Sequence, residues 1–152
     1  MAGRVPPFAQ DPDGGERLVF GRTTIVVRAA ADSTGGAFTV FEEPPPILDT
    51  SRHVHRHEDE FFYVLEGDHV FACGDEEFVL GPGGTVFLPR GVPHAHRRVV
   101  PGAGRLLCTT SPAGFEGFFR VLAEADRAGG PMDEAYERAS REYGITWLGD
   151  AD

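Results

Sequence analysis

From Arg17 to Ser111 the chain reads as short apolar runs cut by turn residues, and only after Ser111 does the apolar period lengthen to that of a helix. The runs RLVF, TTIVVRA, AFTVFEE, the segment around RHVH, EFFYVLE, HVFAC, EEFVL, TVFLP, HAHRRVV and RLLCTT predict ten strands. They are separated by GR, DSTGG, EEPPPILD, EGD, GD, GPGG, PRGVP and PGAG, where glycine supplies turn dihedrals and proline removes a ladder donor. Strands this short and closely spaced predict an all-β sandwich or barrel rather than βαβ units.

Beyond Ser111, the residues Phe115, Phe118, Phe119, Leu122 and Ala125 recur at helical spacing, with Ser111 read as the N-cap and Pro112 as the first helical residue. A second helix is expected from near Pro131, with Met132, Ala135, Tyr136, Ala139 and Tyr143 on one side and Gly144 as terminator. The expected layout is a single domain of 152 residues: strands and β-barrel over 1–111, then a helical extension over 112–152 that packs on or caps the barrel. Within EFFYVLE, Phe62 and Val64 share the face of Glu60, while Phe61, Tyr63 and Leu65 make the opposite face apolar as well. A strand apolar on both faces needs cover on both, which predicts a homodimer.

Charge narrows the partners. With 24 acidic against 14 basic residues, the net charge of -10 repels phosphate backbones and anionic lipid, so a small-molecule substrate is expected rather than nucleic acid or membrane. Every basic residue is an arginine, and without lysine there is no Schiff-base or lysine-base chemistry. No stretch resembles a signal peptide or approaches the roughly 20 apolar residues that span a bilayer, so a cytoplasmic location is expected. Cys73 and Cys108 lie in apolar runs and read as buried, reduced thiols.

The candidate chemistry lies in SRHVHRHEDEFFYVLEG. On a strand, residues two apart share a face at a spacing of roughly 6.6 Å. His53 and His55 can therefore aim at one atom, each through a metal–nitrogen bond of about 2.1 Å. Glu60 has the opposite parity, so a turn through RHED, with Glu58 and Asp59 as turn residues, must bring it round to the same point. Downstream, the rigid PRGVP loop delivers His94 at the start of another strand. His53, His55, Glu60 and His94 thus form a candidate site for one divalent transition metal: Fe, Mn, Co, Ni, Cu or Zn. His57 reads as a neighbour of the site. His96 shares the face of His94 and reads as a pocket-lining proton donor or substrate anchor. His69, Arg97 and Arg98 read as exposed, and Asp75, Glu76 and Glu77 as a solvated hairpin tip.

These residues resemble the cupin superfamily. The first cupin motif, His-x-His-x4-Glu-x6-Gly, is met by His53, His55, Glu60 and Gly67, and the second, Gly-x5-Pro-x-Gly-x2-His-x3-Asn, by Gly83, Pro89, Gly91 and His94, with Arg98 in place of the final Asn. The 15 residues between Gly67 and Gly83 are the compact spacing of microbial cupins. The SPAGFEGFF helix after a single cupin looks like the quercetin dioxygenase-like monocupins of actinobacteria, in which a helix covers the barrel mouth. The resemblance implies a cupin jelly-roll barrel (double-stranded β-helix) and a metal-dependent dioxygenase, with Glu60 accepting a proton from a small aromatic or enolisable substrate. The expected pocket walls are Phe62, Val64, His96, Phe115, Phe118 and Phe119. Two other readings stay open: a redox-neutral cyclase, isomerase or dehydratase in which Glu60 or His96 moves protons, and a non-catalytic small-molecule-binding cupin.

Overall fold

A computed structural model describes residues 4–149 of the chain. Eleven strands and three helices follow in the order β1 Glu16–Phe20, β2 Thr23–Ala29, α1 Ala31–Thr34, β3 Thr39–Glu43, β4 His53–His55, β5 Asp59–Glu66, β6 His69–Cys73, β7 Glu76–Leu80, β8 Thr85–Leu88, β9 His94–Arg98, β10 Arg105–Ser111, α2 Glu116–Arg127, α3 Met132–Tyr143 and β11 Ile145–Trp147. All ten expected strands form. The eleventh comes from the ITW of the tail, whose last three residues lie outside the described part.

The strands make two antiparallel sheets, one of six in the order β1-β2-β3-β10-β5-β8 and one of five in the order β11-β4-β9-β6-β7. They form a sandwich of the jelly-roll kind, and among the described residues no continuous hydrogen-bonded barrel closes. The six-stranded sheet turns Phe41, Phe62, Val64, Leu88, Leu106 and Cys108 into the core. The five-stranded sheet turns in Phe71 and, unusually for a core, His53, His55, His69, His94 and His96. Glu60, Phe62 and Val64 of β5 point inward as the alternation requires, and Phe61 and Tyr63 are exposed on the other face. On the neighbouring edge strand β8, Phe87 is exposed opposite Phe61.

The helices cover the β1 side. Phe119 of α2 stacks on Phe20 at 6.1 Å and meets Phe41 edge-on at 5.0 Å. The helix starts later than its sequence suggested. Ser111 is not a cap but the last residue of β10, paired with Asp59, and α2 begins at Glu116. The ladder with β5 outcompetes the local capping signal, and Glu116 takes over the terminus. Its buried carboxylate accepts hydrogen bonds from the backbone N–H of Ala31 and Gly114 and from the Thr39 hydroxyl. Helix α3 ends as expected, with Gly144 at φ 70° donating to Ser140 O. No helix among the described residues is long and apolar enough to cross a membrane.

Candidate metal centre

Three strands deliver the cluster. His53 and His55 stand on the inner face of β4, and His94 lies directly opposite His53 on β9. The loop before His94 is pinned twice. Gly91, at φ 78°, donates to His55 O, and Arg90 binds the Asp59 carboxylate through its backbone N–H, Nε and Nη2. The positive φ at Gly91 explains a glycine there. Asp59, expected only as a turn residue, opens β5 and holds this loop. Residues 56–58 supply the change of parity that faces Glu60 inward.

His53, His55, Glu60 and His94 are all buried, and each offers one ligand atom such that all lie within 4.8 Å of one another. The ring centroids are 5.2 Å apart for His53 and His55, 4.4 Å for His53 and His94, and 5.3 Å for His55 and His94. Glu60 Oε2 sits 2.7 Å from His94 Nε2 and 3.4 Å from His55 Nε2. Neither Glu60 Oε2 nor His94 Nε2 has a hydrogen-bond partner of acceptable geometry, although both are buried. Orphaned buried acceptors converging on one point are costly unless something sits between them.

The far sides of the rings explain their orientation. His53 Nδ1 lies 2.7 Å from Ser51 O, His94 Nδ1 3.2 Å from Val92 O, and His55 Nδ1 3.3 Å from Glu58 Oε2. An acceptor at each Nδ1 fixes the N–H there and leaves the Nε2 lone pair free to face the centre. This donor set suits one divalent transition metal. Glu58, read from sequence as a turn residue, is buried and orients His55.

Electrostatics without a metal point the same way. Burial would raise Glu60, yet His55, His94 and His53 hold it down at about 2, so it is a carboxylate. Burial and the adjacent His94 push His53 down to about 4. Burial also depresses His55, but the Glu60 and Glu58 carboxylates outweigh it and leave that imidazole raised. The Cys108 thiol, 3.9 Å from Glu60 Oε1, is pushed well up by burial and by that charge, so it is an inert neighbour.

The other expected site residues are distributed differently. His57 is exposed and lies against Gly144, outside the cluster. His69, expected at the surface, is fully buried with Nε2 3.0 Å from Glu66 O, because β6 begins at this residue and turns it inward. Arg97 is exposed as expected, but the Arg98 side chain is only 15% exposed and engages Asp49. His96 packs between Phe62 and Phe71 in the core, and burial holds it down at about 3, so it is neutral at pH 7 and unsuited to act as a cationic acid.

Beside the cluster lies a cavity of about 490 Å³, walled by Ile47, Phe118, Phe119, Tyr136 and Trp147 among others. Of the expected walls, Phe118 and Phe119 line it, whereas Phe62, Val64 and Phe115 belong to the core and His96, also buried, lines a separate pocket with Arg52 and Glu77. None of the four cluster residues lines it, but one layer of side chains separates the two. Trp147 stands 4.9 Å from the His53 ring, and Phe115, stacked on Phe118, stands 4.7 Å from His55. Two participants had no signal in the sequence. Trp147 reaches His53 only because β11 pairs with β4. Glu43 has the inward parity of Thr39 and Phe41 on β3, lines the cavity, and places Oε2 3.9 Å from His96 Nε2. Burial, reinforced by the Glu60 charge, pushes its carboxyl up to about 8.

Known proteins resemble this chain in sequence and in fold. A family model described as the cupin domain matches residues 40–110. Quercetin 2,3-dioxygenase of Bacillus subtilis is 30% identical over 97 residues, which are 60% of this chain and 27% of that protein. An uncharacterized protein of Methanocaldococcus jannaschii is 29% identical over 63 residues, 41% of this chain and 50% of that one. The chain thus spans 27% and 50% of the lengths of these two curated relatives. Among solved structures, KdgF from Halomonas sp. superposes with a TM-score of 0.59 at 16% identity, over 70% of this chain and 96% of that one. An RmlC-like cupin from Shewanella frigidimarina gives 0.59 at 21%, over 71% and 93%. Pac13, a nucleoside dehydratase, gives 0.55 at 16%, over 74% and 88%. At these identities the likeness is one of fold. Residues 40–110 of this chain match the cupin domain, and the two facing sheets hold a buried histidine and glutamate cluster between them.

Proposed function

We propose that the chain is a metal-dependent enzyme of the dioxygenase kind, acting on a small aromatic or enolisable molecule. The observation that carries the metal is the convergence of His53, His55, Glu60 and His94, each imidazole turned inward by an acceptor at its Nδ1. The likeness to quercetin 2,3-dioxygenase supports the reaction type, and the aromatic walls of the adjoining cavity suit a flat substrate. When bound, the metal would supply Lewis acidity and, for an oxygenase, a partner for dioxygen. The chain's own contribution is a buried carboxylate at Glu60 that can accept a substrate hydroxyl proton, in surroundings that exclude water.

A second reading is redox-neutral, as in a cyclase or dehydratase. Glu43 favours it: a carboxyl at the cavity wall, raised to about 8, exchanges protons near neutral pH without dioxygen. Oxygen-electrode measurements on candidate flavonols and polyketide intermediates separate the two. Uptake matched to substrate loss supports the oxygenase, and undiminished turnover under strict anaerobiosis overturns it. Exposed Phe61, Tyr63 and Phe87 supply the apolar face for the proposed homodimer. A single-chain mass in dilute solution excludes that assembly.

A further inference from the structure

Three of the four cluster residues are held from behind, and one is not. Ser51 O, Val92 O and the Glu58 carboxylate each face the Nδ1 of one imidazole, of His53, His94 and His55 in turn. Glu60 turns Oε2 toward His55 and His94, and among the described residues its other oxygen, Oε1, meets only the weak donor Cys108 Sγ at 3.9 Å. The strand beside it carries a donor with the opposite defect. Leu106, Cys108 and Thr110 alternate inward along β10, and Thr110 is completely buried. Its Oγ1 has no hydrogen-bond partner among the described residues, and a buried hydroxyl left unpaired is costly. Thr110 stands directly across the ladder from Glu60, and side chains paired in this way have Cβ atoms about 4.5–5.5 Å apart. On its other side Thr110 pairs with Thr39, whose hydroxyl is already committed, donating to Glu116 Oε2 and accepting from the Gly114 N–H. A row of polar side chains thus crosses the sheet from Glu116 through Thr39 and Thr110 to Glu60, closed at its first end and open at its last. At the spacing of a ladder pair, a change of rotamer brings a threonine hydroxyl within reach of a glutamate oxygen.

We propose that Thr110 is the positioning residue for Glu60: in the metal-loaded chain its hydroxyl donates to Glu60 Oε1 and so holds Oε2 on the ion. This rests on the metal-centre reading above, and Thr110 acts on the ion only through Glu60. A hydroxyl suits the role, because it brings no charge of its own into the interior and its bond to a carboxylate is charge-assisted.

The test compares the parent with Thr110→Val, which keeps the branched shape and removes the hydroxyl, and Thr110→Ser, which keeps the hydroxyl and loses a methyl. Affinities for Zn²⁺ and Ni²⁺ are measured by competition against a chromogenic chelator, and melting temperatures on the chelated, metal-free chains. Thr110→Val should bind both ions at least about ten-fold more weakly than the parent, and Thr110→Ser within about three-fold of it. Without metal the order of the two variants should invert. Thr110→Val should melt at or above the parent, because it removes an unsatisfied buried hydroxyl, and Thr110→Ser below it, because it opens a cavity. A side chain that merely packs would weaken metal binding only in step with the melting temperature, so the inversion is specific to a donor acting on Glu60. Equal affinity in the parent and Thr110→Val, or a loss in Thr110→Ser as large as in Thr110→Val, would overturn the proposal and leave the metal centre in place. A metal-free Thr110→Val chain that melts below the parent, or does not fold, would overturn it too, by showing the hydroxyl committed elsewhere. A parent chain that binds neither ion would sink the metal-centre reading, and this inference with it.

Discussion

Glu60 and Glu116 are both carboxylates buried to within a few per cent of complete, and they are held in opposite ways. Glu116 accepts hydrogen bonds from the N–H of Ala31 and Gly114 and from Thr39 Oγ1, which tie together the start of α1, β3 and the start of α2. Glu60 has three imidazoles around it and one oxygen that no donor satisfies. The first is a finished joint. The second is a joint with a part missing, and the physical cost of an unsatisfied buried oxygen is what marks it as a candidate ligand. Glu43 is a third case, a carboxyl with neither joint nor imidazole cage, which burial raises to about 8 instead of lowering.

The comparison breaks most visibly in stability. Glu116→Ala strands two backbone donors and a hydroxyl in the interior and should cost about 3 kcal/mol of unfolding free energy, a fall of about 10 °C in melting temperature. Glu60→Gln should cost the metal-free chain less and the loaded chain its metal. Thermal unfolding with and without chelator checks both. If Glu116→Ala melts with the parent, the joint has been misjudged.

Next in size is the orientation of His55. Glu58→Ala removes the acceptor that fixes its Nδ1–H and should weaken metal binding by about ten- to a hundred-fold with the fold retained. Competition against a chromogenic chelator measures this. An affinity equal to the parent's would show that Glu58 is an ornament of the turn.

The smallest effect has the most specific sign. Glu60 is depressed from 4.5 to about 2, so its contribution to the metal-free fold is present above about pH 4.5 and lost as pH falls towards 2. Glu43 is raised from 4.5 to about 8, so its contribution is present below about pH 4.5 and lost as pH rises through 8. Relative to the parent, metal-free Glu60→Gln should therefore recover on acidification below about pH 4.5, and Glu43→Gln should improve on going from about pH 4.5 to 8. Denaturant midpoints across this range read both, and slopes of the same sign in the two variants would contradict the environments assigned to them.

What the sequence disclosed follows the same division. His53, His55, Glu60 and His94 were legible because strand parity and a rigid loop are local properties, and so were all ten strands between Arg17 and Ser111. Glu43 and Trp147 were not, because their roles come from pairings with segments far along the chain: β11 with β4, and β3 against the helices. His69 was misread because an alternating strand says which residues share a face without saying which face is inward. Ser111 carried a genuine capping signal that a β-ladder with Asp59 overrode.

The most direct test of the account is the metal content of the chain as purified, measured by elemental analysis against protein concentration, for the parent and for His94→Ala. One transition-metal ion per parent chain, and its loss in a His94→Ala chain that remains folded, is the predicted result. A parent chain that takes up no transition metal when one is supplied, or a folded His94→Ala chain that keeps its full complement, would contradict it.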